Sequence, residues 1–576
     1  MAAIKFKSAL GVERGYEYGF GGIDRTAKGR RDNTLFLAKN LDLNTDGSLS
    51  SRGGYRQIRN LDGEFRGHFS KGSKLYTVIG NQFELTDTDS GSVTCLGALE
   101  TDHGHAEIFC FGGDIYVHDS IKLYRLQGEE LSPVEGCAPY YGQGWSPLYG
   151  GMVHDDINYL SDRIMISYTI SGTASSFYLG LGIASIDRVE TSGLERDISN
   201  FSLTKNSDGA PIIKASEAVS GIEITFWLTL SPEESQKHRL AAPIRAFVFG
   251  NNGGERLCFY LPDCSGHIYC SKPIGPSVHI SSKRTAPNEI PLYISKKTTV
   301  CIGSGADSVM GMADHYGRAL LFTDLNTWCV DFEDKESNTD YHIPKVFMLN
   351  SAIGSEIQSG SAYCENDPVT YSHGSLWRWH SRSAVLDECS ASLMSEVITD
   401  IFPENSDALA MLSIPQKGLI YILDPDSDEG GLLIYNTRLN AWTLYKSIFA
   451  EKLLRYGNSA AFVRGDALFV LSRSLECDKE DDESFAINSS FSSHFFDFDT
   501  PERTKRTLNL ILSCELGEDG GKISFENERG EISTIKLSGG KQTVSESLHL
   551  PRFKRIRIKA ESNSRAVWRS LILSAK

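Results

Sequence analysis

The sequence predicts an all-β protein: a β-propeller carrying an inserted small β-sandwich and followed by a C-terminal β-sandwich. Three observations predict it. The 576 residues hold 53 glycines and 10% aromatics, with few long helical periodicities, a composition that suits strands punctuated by turns. From about residue 61 the chain falls into hairpins of one kind, a β-rich run, a short polar turn and a second run carrying an aromatic. These hairpins recur in pairs at roughly 40–50-residue spacing, the sequence pattern of propeller blades.

In chain order, residues 1–60 read as an N-terminal arm and a first hairpin. Leu41 and Leu43 alternate with Asn40, Asp42 and Asn44, the period of a half-buried strand. Asp46-Gly47 supplies the positive φ of a tight turn, Leu49 opens the return strand, and Gly53-Gly54 lets the backbone bend before Tyr55. Residues 61–165 and 240–475 read as the propeller, with hairpins such as Lys74 to Leu85 and Asp114 to Leu126. Leu320 to Val330 can be laid beside Leu433 to Leu444, each placing Leu-Asn-x-Trp after a turn, so that Trp328 and Trp442 pack between sheets. Such a repeat array must close or be capped, because each blade leaves an apolar face for its neighbour. The repeats are degenerate, and six or seven blades fit. Residues 166–239 break the rhythm and read as a sandwich inserted in a blade loop. Asp478 to Glu483 reads as an exposed acidic linker. Residues 476–576 then hold short alternating strands between Gly-rich turns, a second sandwich.

The segment 38–59 resembles a signature of tailed-bacteriophage virion proteins, an asparagine and alternating apolar residues followed by Asp-Gly, Leu, Arg and Gly-Tyr. Asn40, Asp46, Gly47, Leu49, Arg52, Gly54 and Tyr55 match it, with Gly53 where a proline is more usual. The similarity continues as blade pattern over most of residues 35–475. Arg245 to Asn252 with Arg256 to Tyr260, Asp307 to Trp328, and Ser375 to Ile398 look like blades of that family. The resemblance implies a β-propeller structural protein of the tail or head–tail complex. Such a protein acts as a nozzle-like ring, with a hexamer favoured, around the DNA channel, helping to retain or release packaged DNA. Its implied partners are portal or adaptor proteins or tail components, with DNA in passing contact. It would be assembled in the host cytoplasm and located in the virion.

Charge and cysteines fit that expectation. The chain has 58 basic and 74 acidic residues, net −16, which disfavours coating nucleic acid non-specifically. The first twenty residues lack an apolar signal core, and no apolar run is long enough to span a bilayer, so no membrane is expected. Twelve cysteines, mostly in apolar strand-like runs, read as buried thiols in a reducing compartment.

The most basic patch of this acidic chain is Arg555, Arg557 and Lys559, alternating with Ile556 and Ile558, with Arg552 and Lys554 beside them. It reads either as a solvated sandwich face or as a contact with an acidic neighbouring subunit or with DNA. Arg30 and Arg31 in the arm admit the same two readings. No metal, cofactor or catalytic residue is expected. Asp42, Asn44, Asp46 and Gly47 match the start of a calcium-binding loop, but the twelfth position is Gly53 instead of a glutamate. Cys258, Cys264, His267 and Cys270 sit in an apparent strand that sends alternate side chains to opposite faces. The turn Asp424 to Gly430 holds three alternate aspartates, an acidic turn with calcium as the rival reading. The Thr323–Trp328 turn lacks the serine and glycine of sialidase-type propeller turns. Asp155-Asp156 has no carboxylate partner for glycoside hydrolysis, and His103, His105 and His380 lack a nucleophile elbow nearby. The alternative function is a carbohydrate-binding or hydrolytic propeller acting on the host surface.

Overall fold

The computed structural model describes residues 4–7, 14–18, 20–26, 34–134, 136–220, 223–238, 245–250, 255–260, 266–271, 292–303, 307–331, 345–357, 362–381, 389–402, 409–423, 430–498 and 500–575. The regular structure of the described residues is almost entirely strand, arranged as a β-propeller, an inserted sandwich and a C-terminal sandwich.

Five blades are separate four-stranded antiparallel sheets. Blade one is Phe65–Lys71, Lys74–Ile79, Gln82–Asp87 and Val93–Ala98. Blade two runs from Glu107–Phe111 to Glu130–Pro133, and blade three from Arg245–Phe249 to Thr299–Cys301. Blade four runs from Val309–His315 to Lys345–Asn350, and blade five from Ala362–Cys364 to Cys389–Leu393. The sixth, Ala410–Ile414 to Ala441–Lys446, is the first part of a nine-stranded sheet. The seventh takes three strands from Lys452–Tyr456, Ser459–Arg464 and Ala467–Ser472. Its fourth strand is Gly54–Asn60, antiparallel to Ala467–Ser472 with Ser472 opposite Gly54. Residues assigned above to the N-terminal arm thus close the ring. The first strand of blade seven then lies beside that of blade one, where the Ser70 hydroxyl donates to the Arg455 carbonyl at 2.6 Å.

Each blade interface buries its own apolar cluster. Between blades six and seven, for example, Ile414, Tyr421, Ile434, Phe462 and Phe469 pack together. This burial between neighbours is the main force that holds such an array shut. The Leu-Asn-x-Trp turns occupy different places in their blades, which corrects the side-by-side reading. The first joins the second and third strands of blade four, and the second joins the third and fourth strands of blade six. Trp442 is buried and Trp328 half-buried.

The insert lies between blades two and three. One sheet holds Tyr140–Trp145, Arg163–Thr169, Glu223–Leu230, Ile183–Thr191 and Leu194–Arg196; the other holds Thr173–Tyr178, Pro211–Ser220 and Phe201–Lys205. Tyr168, Phe177, Ile213 and Phe226 form its centre. The paired strands span Tyr140 to Leu230, so residues 140–165 belong to the insert and not to the propeller.

The C-terminal sandwich grows directly from blade six. Beyond Ala441–Lys446 the sheet continues through Leu35–Lys39, Ser489–Ser493, Ile556–Ser562, Gly521–Asn527 and Ile532–Leu537. The facing sheet pairs Lys505–Leu516 with both Gly540–Phe553 and Ala566–Ala575. Leu508, Leu510, Ile523, Phe525, Ile558 and Trp568 fill the space between, and that core is continuous with Trp442 and Tyr371 of the propeller. Among the described residues no helix is long and apolar enough to cross a membrane.

Candidate functional site

The basic strand takes its place from the alternation of Ile556–Ser562. Ile556, Ile558 and Ala560 point into the sandwich core, and Arg557 and Lys559 point away from it. The outward face is mixed in charge. Lys559 pairs with Glu526 at 2.7 Å, and Lys522 on the neighbouring strand pairs with Glu561 at 2.8 Å. Arg557 lies over the rings of Phe36 and Phe495, at 4.6 and 4.3 Å, where cation–π attraction and apolar contact with its stem hold it. Its Nε is buried and makes no hydrogen bond among the described residues. Lys559 and Arg557 are therefore fixed by neighbours, whereas Arg552, Lys554 and Arg555 are exposed.

The turn carrying Lys554 and Arg555, with Arg552 near the end of the preceding strand Gly540–Phe553, is built firmly. The Glu528 carboxylate accepts the backbone N–H of Lys554 at 3.0 Å and of Arg555 at 3.1 Å, and these bonds lower the Glu528 carboxyl below its ordinary range against the opposing effect of burial. Lys505 runs beneath the turn, donating from Nζ to the carbonyls of Lys554, Arg503 and Thr500. Burial lowers its ammonium from the usual lysine value. This arrangement brings Arg503, Arg506 and Arg529, all exposed, to the same end of the sandwich as Arg552, Lys554 and Arg555. The sequence reading missed them, although Arg503 to Arg506 is itself a short basic run. Arg30 and Arg31 lie outside the described residues.

The signature segment has a different task. Leu41–Leu43 and Leu49–Ser51 form the hairpin, with Gly47 at φ +81° in its turn. Asn40, at φ +54°, ties three units together. Its Oδ1 accepts from Lys446 of blade six at 2.8 Å and from Arg52 Nε at 3.1 Å, and its Nδ2 donates to the Asn488 carbonyl at 2.8 Å. Arg52 makes a two-pronged pair with Asp478, and Tyr55 donates its N–H to the same carboxylate at 3.1 Å. Tyr55 also donates its hydroxyl to Glu480 at 2.5 Å, and Arg464 pairs with Glu480 at 2.8 Å. Asp478–Glu483 is accordingly no exposed linker. Cys477–Glu480 and Glu483–Ala486 form a hairpin against the closing strand. Gly53 and Gly54 are needed there for close approach and not for bending. A Cβ on Gly54 would lie 1.9 Å from the Cys477 carbonyl oxygen, and one on Gly53 would lie 2.3 Å from that of Ser472.

The remaining chemistry scatters. Asp42 is buried against Tyr445, which donates its hydroxyl to it, and against Arg473 at 3.6 Å; burial raises its carboxyl above the usual range. Asn44 bonds Ser48 and Ser50, and Asp46 accepts from Ser48, so these side chains do not converge on a cation. Cys258 and Cys270 face each other on paired strands, with the Cys258 thiol pushed well up by burial, while His267 pairs opposite Cys301. Cys264 and Asp424–Glu429 lie outside the described residues. Among the described residues no three potential ligands group around one point. His103 pairs with Asp102 and His105 with Glu107, each at 2.6 Å.

No protein-family model and no curated protein matches the chain. Solved structures similar to it include the WD40 domain of SCAP from fission yeast, at 10% identity and TM-score 0.34 over 73% of this chain and 98% of that one. A mitotic checkpoint complex is similar at 9% identity and TM-score 0.31, over 73% and 94%. An exo-β-1,3-galactanase from Phanerochaete chrysosporium is similar at 8% identity and TM-score 0.17, over 81% and 95%. These scores are too low to carry an argument, and the propeller description rests on the strand pairing itself.

Proposed function

We propose that this chain is a structural, non-catalytic component of a tailed-bacteriophage particle, part of the tail or head–tail complex. In this reading copies form a nozzle-like ring around the DNA channel, a hexamer being favoured, and help to retain or release packaged DNA. The observation that carries the reading is the signature segment. The residues that resemble the virion-protein pattern, Asn40, Arg52, Gly54 and Tyr55, are those that lock the closing strand to blade six and the C-terminal unit. The likeness therefore falls on residues with one shared structural task.

The role is geometric. A ring of blades closed by its own N-terminal strand is stiff, because every apolar face is covered by a neighbour. A sandwich that shares a sheet with blade six moves with the propeller as one body. Its basic end, Arg552, Lys554 and Arg555 with Arg503, Arg506 and Arg529, offers an exposed cationic surface to an acidic portal, adaptor or tail component, or to passing DNA. Negative-stain images of the purified full chain test the reading. Rings of copies are expected, and a protein that stays monomeric and binds glycans on an array overturns it.

A further inference from the structure

Blade three holds two thiols face to face. Its second strand, Arg256–Tyr260, and its third, His267–Cys270, run antiparallel with Cys258 directly opposite Cys270. The Ser271 N–H donates to the Leu257 carbonyl at 2.7 Å. Leu257 and Ser271 are thus joined by a ladder hydrogen bond, and by alternation Cys258 and Cys270 form a non-hydrogen-bonded pair. That kind of pair brings Cα atoms closest, to about 4.5 Å. Opposite residues also send their side chains to the same face of a sheet. Here it is the face packed on blade four, where both cysteines lie in one cluster with Tyr260, Ile268, Met312 and Leu321. A disulfide needs Cα atoms about 4.4–6.8 Å apart and side chains turned toward each other, so this bond can close within the existing strand register. Among the described residues no other cysteine faces a second one across paired strands; Cys301 faces His267 and Cys389 faces Ser381.

In the closed blade the pair is protected. Cys258 is 0% exposed and Cys270 3%. Burial, and after it the neighbouring Cys270 thiol, pushes the Cys258 thiol well above its ordinary value, which keeps it out of the reactive thiolate form. Access comes through the outer half of the blade, which is thinly paired. His267–Cys270 has four residues and Thr299–Cys301 three, where the matching strands of blade one have six each. So short a stretch of paired backbone opens locally at less cost than a full blade does. Its peeling away from Arg256–Tyr260 uncovers both thiols, and its return sets them opposite each other again.

We propose that Cys258 and Cys270 are a redox pair, which a small disulfide oxidant converts into a cross-strand disulfide that staples the second and third strands of blade three. The thiolate of one cysteine attacks a sulfur of the oxidant R–S–S–R, forming a mixed disulfide and expelling one R–S⁻. When the strands close, the second cysteine attacks the mixed disulfide, the Cys258–Cys270 bond forms and the second R–S⁻ leaves. The two cysteines give up two protons and two electrons, and the oxidant disulfide becomes two thiols. Treatment of the reduced full chain with oxidised glutathione, in urea below the unfolding midpoint, tests the pair. Thiols left free are then alkylated in the denatured chain, which is digested without reductant. The expected product is two peptides joined through Cys258 and Cys270, lighter by two hydrogen atoms than the reduced peptides together. After the urea is removed, the oxidised chain should melt at a higher temperature than the reduced one, and reductant should reverse the rise. Cys258→Ala and Cys270→Ala should each lose both the joined peptides and the rise. The exposed Cys95 shows when the oxidant has sufficed. Cys258 and Cys270 that are still alkylated once Cys95 is fully modified, or either of them joined to Cys264 instead, would overturn the proposal.

Discussion

Arg52 and Asp478 stand 426 residues apart in sequence and meet as a two-pronged pair, Nη1 to Oδ1 at 2.8 Å and Nη2 to Oδ2 at 2.6 Å. Both side chains are almost wholly buried, and the guanidinium also bonds Asn40 and the Gly53 carbonyl. Removing one member strands the other's charge away from water, which costs about 3–5 kcal/mol, whereas replacing both with apolar residues of similar volume is often near neutral. Arg52→Met and Asp478→Leu should therefore each lower stability steeply, and the double variant should recover part of the loss. Urea denaturation of the three variants measures this. Single variants that unfold at the wild-type midpoint would show that the pair does not lock the closing strand.

Acid should loosen the propeller through its buried histidines. Burial pulls the His118 imidazole from 6.5 down to about 4, and does the same to His68. His118 Nδ1 also accepts the Ser120 backbone N–H at 3.1 Å, a bond that requires an unprotonated nitrogen. Above the unfolded value both states are neutral and the full stability is present. As pH falls from 6.5 toward about 4 the unfolded chain binds protons that the folded chain refuses, so stability is lost across that window. For His118 alone the loss approaches about 3 kcal/mol, at ~1.4 kcal/mol per pH unit. Denaturation midpoints between about pH 7 and about pH 4.5 should drop, and drop less in His118→Gln. Equal slopes in variant and wild type would assign the acid loss to other groups.

How much of this was legible in the sequence depended on range. Strand period and turn chemistry act over a few residues, so the 41–51 hairpin, the blade hairpins and the two sandwiches could be read locally. Partners distant in sequence leave no local mark. Asp478 looks like part of a solvated acidic run because Arg52, which neutralises it, lies at the other end of the chain. The closing strand Gly54–Asn60 reads as part of the arm for the same reason, since its partner Ala467–Ser472 follows hundreds of residues later. Gly53-Gly54 reads as a bend because glycine signals conformational freedom and close approach equally well. The two Leu-Asn-x-Trp turns matched in letters but not in blade position, since any hairpin of a blade accepts the same turn. At the basic site the alternation at 555–559 was visible, whereas the aromatic rings over Arg557 and the glutamate beside Lys559 come from other strands.

The basic end should matter for docking and not for folding. Arg552, Lys554 and Arg555 are exposed, and exposed substitutions usually shift stability by within about 0.5 kcal/mol. Replacing all three with Gln should leave the melting temperature nearly unchanged while weakening attachment to an acidic partner or DNA. The wild-type attachment should itself weaken as salt is raised. Arg557→Gln should behave differently, since it removes a guanidinium from between Phe36 and Phe495, at a cost of about 1–2 kcal/mol. Thermal melts beside co-sedimentation at two salt concentrations separate the two effects. A triple variant that unfolds would make the patch structural.

The two tryptophans decide between a structural and a glycan-binding propeller. Trp442 is 2% exposed and packs against Tyr435 at 4.8 Å and edge-on to Phe402 at 6.4 Å, so Trp442→Ala should cost about 3–5 kcal/mol by emptying a filled site. Trp328 is half-buried against the cluster between blades three and four, and its truncation should cost less. Its indole N–H is buried with no partner among the described residues, a group that costs about 1–3 kcal/mol when left unmade. Trp328→Phe removes that donor, keeps most of the apolar contact and should be nearly neutral. A sugar-stacking indole behaves in the opposite way, because its face is open to solvent and its loss spares stability while abolishing binding. Denaturation midpoints of Trp442→Ala, Trp328→Ala and Trp328→Phe, read beside a glycan array, give the answer. Variants that keep full stability and lose glycan binding would turn the conclusion toward the host surface.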